Sequence, residues 1–195
     1  MMRPIKLLMS CGAVIAAATL SPSAGAAETA RLRIETSAGN FVVQLEPERA
    51  PLTVANFLRY AREGYYEGTI FHRVVNGFVI QGGGYTADLA PKPAQAGVPN
   101  ESGNGLNNHR GTIAMARTGD PHSADSQFYI NLADNVALDP KPTRWGYAVF
   151  GTVVEGMEVV DDIGHRATTT RNGMQDVPIE AVTIRKVVAL PGPAP

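Results

Sequence analysis

One stretch limits what this chain can fold into more than any other: Phe71-His72-Arg73-Val74-Val75-Asn76-Gly77-Phe78-Val79-Ile80-Gln81-Gly82-Gly83-Gly84. Ile70 to Val75 is β-branched and aromatic, Asn76-Gly77 is a turn dipeptide, and Phe78 to Ile80 resumes the apolar run. That order reads as two short apolar strands joined by a tight bend, with the three glycines ending the segment. Two polar side chains, Arg73 and Gln81, interrupt it. An arginine in an apolar β segment is costly to bury unless it is paired or faces a cleft. The stretch therefore suggests a hydrophobic floor with a fixed cation beside it. By composition alone the same residues also make an ordinary core, with Arg73 snorkelling or ion-paired and Gln81 at an edge.

The surrounding chain sets the frame. It has 195 residues, 44% hydrophobic and 18% charged, which suits one globular domain. Net charge is −1 with no basic run, so nucleic-acid binding and polybasic membrane docking have no support. The four histidines and 18 acids show no metal-ligand spacing, and no metal or cofactor is expected. At the start, Arg3 and Lys6 precede a mostly apolar run from Leu7 to Leu20, and Ala24-Gly25-Ala26 is a small-residue cleavage site. This is the pattern of a secretory signal peptide over 1–26, and the apolar run is too short for a membrane span. Cleavage after Ala26 would leave 169 residues with net charge −3, an exported chain, periplasmic in a cell with an outer membrane. The one cysteine, Cys11, falls inside the signal, so the mature chain would carry no disulfide. Leu8-Met9-Ser10-Cys11 lies too early in the apolar run to serve as a lipoprotein box.

The mature chain then reads as strands and two helices. Arg31–Thr36 alternates apolar and polar residues, and Phe41–Leu45 follows the turn residues Ala38-Gly39-Asn40, giving an opening hairpin. A helix begins at Pro51, with Thr53 as its N-cap, an apolar stripe of Val54, Phe57, Leu58 and Ala61, and Gly64 to end it. Thr86 to Arg110 is a 25-residue segment poor in apolar side chains, long enough to imply a functional loop. Gly111–Ala116, Phe128–Leu132 and Val149–Val154 are strands, with a polar loop from Thr118 to Asp125. Gly156–Ile163 is a short second helix with Met157, Val160 and Ile163 at helical spacing. Val182–Val188 closes a domain spanning 27–190, and 191–195 reads as a flexible tail. About eight short strands and two helices suit a mainly β fold: a closed eight-stranded antiparallel β-barrel capped by two α-helices.

Four blocks in order closely resemble the cyclophilin-type peptidyl-prolyl cis-trans isomerases, and the exported bacterial members most of all. They are the stretch Phe71–Gly84, Gly111-Thr112-Ile113-Ala114-Met115-Ala116-Arg117, Ser126-Gln127-Phe128-Tyr129-Ile130, and Gly146-Tyr147-Ala148-Val149-Phe150-Gly151. The resemblance runs from about Arg31 to about Ala189, and it too implies the capped barrel. It implies an isomerase acting on X-Pro bonds and assisting the folding of exported proteins. It makes Arg73 the catalytic arginine and Gln81 the glutamine that orients substrate backbone. It builds a proline pocket from Phe78, Val79, Tyr129 and Leu138. Ala116 and Arg117 would bind the extended peptide, and Tyr147 the carbonyl side. The implied partners are proline-containing unfolded or extended polypeptides, with no nucleic acid and, after cleavage, no membrane. A small closed domain with no obvious apolar patch leans to a monomer.

The chain departs from the family pattern at several points. Val79 stands where Met is common, and Tyr129 where Phe is usual, so its hydroxyl must find a partner at the floor of the groove. Arg117 replaces a common Asn. Ala137 replaces the Trp whose indole helps drug-sensitive members bind cyclosporin, so weak cyclosporin binding is expected.

Other chemistries find less support. His122, Ser123, Asp125 and Ser126 are too close in sequence for a hydrolase triad, and there is no G-x-S-x-G elbow. Gly82-Gly83-Gly84 lacks the following helix and lysine of a phosphate loop. Asp161-Asp162 reads as a solvated helix face. The rival from another class is a binding module or holdase of the same fold without turnover. The joint presence of Arg73, Phe78 and Gln81 favours the enzyme.

Overall fold

A computed structural model of the chain describes residues 31–191. The expected signal peptide (1–26), Cys11 and nearly all of the expected tail lie outside the described residues. Within them the chain is mainly β, with two α-helices. Eight strands form one antiparallel sheet: β1 (Arg31–Thr36), β2 (Gly39–Leu45), β3 (Thr69–Val75), β4 (Val79–Thr86), β5 (Thr112–Met115), β6 (Phe128–Asn131), β7 (Val149–Glu155) and β10 (Ile184–Leu190). Their spatial order is β10-β1-β2-β7-β5-β6-β4-β3. A separate two-stranded hairpin, β8 (Thr168–Arg171) and β9 (Met174–Pro178), precedes the last strand.

Strand alternation makes the core. On β1, Leu32, Ile34 and Thr36 point inward and are buried, while Arg33 and Glu35 face outward. The same alternation on β2, β4 and β6 sends Phe41, Val43, Leu45, Ile80, Phe128 and Ile130 into one apolar cluster. Helix α1 (Pro51–Arg62) lays Val54, Phe57 and Tyr60 on that cluster. Phe57 is its hub, with ring centroids 5.0 Å from Tyr66, 5.5 Å from Phe128 and 5.2 Å from Phe150. Helix α2 (Met157–Gly164) adds Val160 and Ile163.

The sheet curls until its edge strands, β3 and β10, approach. They meet at one bridge, Ile70 with Thr183. The Phe71 and Gly68 amides also donate to the Val182 and Ile184 carbonyls, at 3.0 and 2.9 Å. No continuous ladder joins them, so the architecture is a curled eight-stranded half-barrel rather than the closed barrel expected. The pairing of β3 with β4 is irregular at the same place: its register slips between Thr69 and Phe71 and again between Phe71 and Arg73, and such slips bend a strand pair away from a straight ladder.

Three local expectations need correction. Thr53 is not the N-cap of α1. That position belongs to Ala50, whose side chain makes no capping bond. The cap comes from a distant loop: the Glu101 carboxylate accepts from the Leu52 and Thr53 amides (3.1 and 2.8 Å) and from the Thr53 hydroxyl (2.6 Å). A carboxylate there satisfies orphan amides and meets the positive end of the helix dipole. Gly82-Gly83-Gly84 does not end the segment but continues β4, because side chains from neighbouring elements lie where Cβ atoms would stand. At Gly84 a Cβ would sit 2.4 Å from Gln127 Cγ, and Gly83 needs φ +86°. Asp161 is not merely solvated: the Arg110 guanidinium donates to both its oxygens, at 2.8 and 2.7 Å.

Candidate active site

Cross-strand register assembles the site. Residues directly opposite in an antiparallel ladder share a face. Arg73 on β3 lies opposite Gln81 on β4, Gln81 opposite Tyr129 on β6, and Tyr129 opposite Ala114 on β5. This row crosses the face turned away from the main core, because its neighbours Ile80, Phe128 and Ile130 point into that core. On this outer face Val79, Ala114, Tyr129 and Val149 are buried in a second apolar cluster. Phe78, Leu106, Ala116, Leu138 and Tyr147 pack on it.

The result is a cleft of about 370 Å³ lined by Arg73, Phe78, Val79, Gln81, Ala116, Arg117, Tyr129, Leu138 and Tyr147. Every residue singled out from the sequence as a site residue is in that wall. They come from three strands (β3, β4 and β6), from the turn before β4, from the segments after β5 and before β7, and from a 3-10 turn, Val136–Leu138. Val79 and Tyr129 form the floor, 2% and 4% exposed.

Arg73 stands at one edge of this apolar floor with its side chain 39% exposed. Its Nη1 points at Gln81 Oε1, 3.5 Å away, and Gln81 Nε2 donates to Gln127 Oε1 at 3.2 Å. On its other side, Asp176 Oδ2 on β9 lies 3.8 Å from Arg73 Nε. The guanidinium is thus flanked by an amide and a carboxylate, and its Nη2 makes no hydrogen bond among the described residues. Sequence reasoning missed Gln127 and Asp176. Gln127 sits inside a quoted block, beside Ser126. Asp176 belongs to the unexpected hairpin, whose turn Asn172-Gly173 is a dipeptide that signals such hairpins.

The opposite wall is built by Arg117. Its Nε donates to the Gly146 carbonyl (3.2 Å), Nη1 to Thr118 (2.9 Å) and Nη2 to Trp145 (3.0 Å). The guanidinium lies over the Tyr147 ring, 4.5 Å from its centroid. Tyr147 in turn meets Tyr129 edge to face at 5.9 Å. Arg117 therefore clamps the loop that carries Tyr147, using all three nitrogens on backbone carbonyls.

The hydroxyl of Tyr129 does not face the groove. It donates to Asn108 Oδ1 at 2.7 Å, beneath the floor. Burial pushes its pKa well above the usual tyrosine range, so it stays a donor. Asn108 is held by Asp139, and Asn131 and Asn135 extend the web until Asn135 Nδ2 reaches the Phe78 carbonyl at 2.9 Å. A satisfied buried network of this kind fixes the floor rather than softening it.

The nine lining side chains include no carboxylate, imidazole, thiol or aliphatic hydroxyl. The cleft offers an apolar floor and hydrogen-bond donors, and nothing that suits a nucleophile or general base. No hydrogen bond between side chains links the four residues weighed for a hydrolase, and Ser126 Oγ bonds the Tyr65 hydroxyl instead. His122 Nδ1 accepts from the Asn100 amide, Ser123 Oγ bonds the Asp120 carbonyl, and Asp125 caps the Ser126 and Gln127 amides. His72, next to Arg73, is buried against Tyr85 at 4.6 Å, and burial lowers its pKa to about 4. Trp145 is exposed, stacks edge-on with His122 and does not line the cleft.

Comparison with known proteins bears on what such a cleft does. Residues 31–189 match the family model for cyclophilin-type peptidyl-prolyl cis-trans isomerases. A peptidyl-prolyl cis-trans isomerase of Streptomyces antibioticus is 51% identical over 162 residues, covering 82% of this chain and 98% of that protein. Peptidyl-prolyl cis-trans isomerase A of Dickeya dadantii is 44% identical over 180 residues, 92% of this chain and 95% of that one. Among solved structures, a cyclophilin-type isomerase of Cryptosporidium parvum, crystallised in the presence of the dipeptide Ala-Pro, superposes with TM-score 0.70 at 26% identity. It covers 83% of this chain and 99% of that one.

Proposed function

The chain belongs to the cyclophilin-type peptidyl-prolyl cis-trans isomerase family, and from that premise we propose that it accelerates X-Pro rotation in exported polypeptides at the cleft beside Arg73. Rotation breaks amide resonance against a barrier of about 18–20 kcal/mol. No covalent bond breaks and no proton leaves, which agrees with a lining free of acids, bases and nucleophiles. A 10⁵-fold acceleration asks for roughly 7 kcal/mol, which preferential binding of the twisted amide can supply.

Val79 and Tyr129 receive the proline ring on the floor, with Phe78 and Leu138 as walls. In the twisted amide the prolyl nitrogen is pyramidal and regains a lone pair. The Arg73 guanidinium, permanently charged and rigid, donates to it. Gln81 orients the substrate backbone and braces Arg73. Ala116 and Arg117 line the path of the extended peptide, and Tyr147 faces the carbonyl side. The clients are unfolded or extended exported chains, and the protein acts as a monomeric folding helper with weak affinity for cyclosporin.

The observation that carries this proposal is a half-exposed guanidinium held at the rim of a buried apolar floor. A protease-coupled isomerisation assay on a short X-Pro peptide tests it. Wild type is expected to accelerate the reaction and Arg73→Ala to lose about 10²-fold or more in kcat/KM, the scale of one lost transition-state donor. Equal rates in the two proteins would refute the arginine mechanism. If Arg73→Ala abolished isomerisation yet left client protection intact in cells, binding would be the function that matters.

A further inference from the structure

The hairpin β8–β9 has one irregularity, and it faces Arg73. Arg171 pairs with Met174 and Thr169 with Val177, so β9 carries one residue more than β8 over the same span. The extra residue is a bulge at Gln175–Asp176. Asp176 there adopts φ +60°, a backbone conformation that non-glycine residues rarely hold without a compensating contact. The hairpin is fastened to the back of β3, where Val177 is buried in a small cluster with Ile70 and Leu89. A second cleft of about 470 Å³ opens between hairpin and sheet, and Arg73 and Gln81 form the wall it shares with the proline cleft.

We propose that Asp176 is a positioning residue for the isomerase reaction: the bulge aims its carboxylate at Arg73 Nε and so orients the guanidinium towards the proline cleft. This rests on the assignment of Arg73 above. Gln81 steadies Nη1 at 3.5 Å from one side, and the Asp176 carboxylate attracts Nε at 3.8 Å from the other. Nη2 is the nitrogen left to donate. At 3.8 Å, with both side chains about 40% exposed, the pair adds little to stability. Its effect is on orientation, where a small misplacement of a donor is felt in the rate. A strained bulge at a pair of little stabilising value is accounted for if the geometry serves the neighbouring arginine.

Asn and Gly both tolerate positive φ, so Asp176→Asn and Asp176→Gly remove the charge while keeping the bulge. Both are expected to lower kcat for an X-Pro peptide about three- to tenfold, with KM within about twofold and urea midpoints unchanged. On an Arg73→Ala background the same substitutions are expected to change nothing further, because both act through one guanidinium. The ¹⁵N–¹H signal of Arg73 Nε is expected to shift and broaden in Asp176→Asn. Wild-type kcat in Asp176→Asn beside a strongly impaired Arg73→Ala would overturn the role of Asp176 alone. So would an equal loss on both backgrounds, which would mark a structural effect. Full activity in Arg73→Ala would overturn the underlying assignment, and the role of Asp176 with it.

Discussion

Ala137 lies in the exposed 3-10 turn next to Leu138, where a methyl group offers neither an aromatic face nor an N–H. Trp145 cannot stand in for an indole at that place, since it is turned to His122 outside the cleft. Cyclosporin is therefore expected to inhibit weakly, and Ala137→Trp to tighten inhibition about tenfold or more, which is about 1.4 kcal/mol. An inhibition titration reads both. Potency in the unaltered protein equal to that of a Trp-bearing relative would contradict the account. Single residues were legible where their chemistry clashed with their surroundings: Arg73 and Gln81 stood out as polar groups in an apolar run. The path of the Tyr129 hydroxyl was not legible, because its partner Asn108 is 21 positions away in a loop. Nor was the clamp by Arg117, whose partners are backbone carbonyls that no sequence pattern marks.

Strand β3 joins two environments. Arg73 faces the cleft, while His72 is 3% exposed, with Nδ1 unpaired, beneath Tyr85. Burial favours the neutral imidazole in the folded state and lowers its pKa from 6.5 to about 4. Well above pH 6.5 neither folded nor unfolded chain protonates it, and the stability it allows is fully present. As pH falls from 6.5 to 4 the unfolded state takes up the proton first, and stability is lost, by about 3 kcal/mol in total. Urea unfolding across this range is expected to show a shallower pH dependence in His72→Gln than in wild type. Identical slopes would contradict burial of a neutral histidine. All eight strands of the main sheet were legible as elements, since each is an apolar or alternating run. The hairpin β8–β9 was missed because β8 is four exposed polar residues, Thr168 to Arg171, without an apolar pattern. The N-cap was misassigned for a related reason: Thr53 has the right chemistry, but the cap is a carboxylate 48 residues distant.

On the scale of the whole molecule, the curl of the sheet turns one face into the core and leaves the other to form the cleft. Strand order and curvature were only partly legible, because the register slips between β3 and β4 leave no mark in composition. The proposed export is also a question for the entire chain. Cleavage after Ala26 predicts that protein recovered from cells begins at Ala27 and has 169 residues, which intact mass reads directly. A recovered chain still starting at Met1 would contradict export by this route. The central claim concerns a difference between two bound states: ground-state proline held by the apolar floor, and the twisted amide held by Arg73. Exchange NMR on an X-Pro peptide with wild type and Arg73→Ala tests it most directly. Both proteins are expected to shift the same amides around Val79, Tyr129 and Tyr147 on peptide binding, while only wild type yields fast cis-trans exchange. Fast exchange in Arg73→Ala, or peptide shifts away from this cleft, would contradict the account.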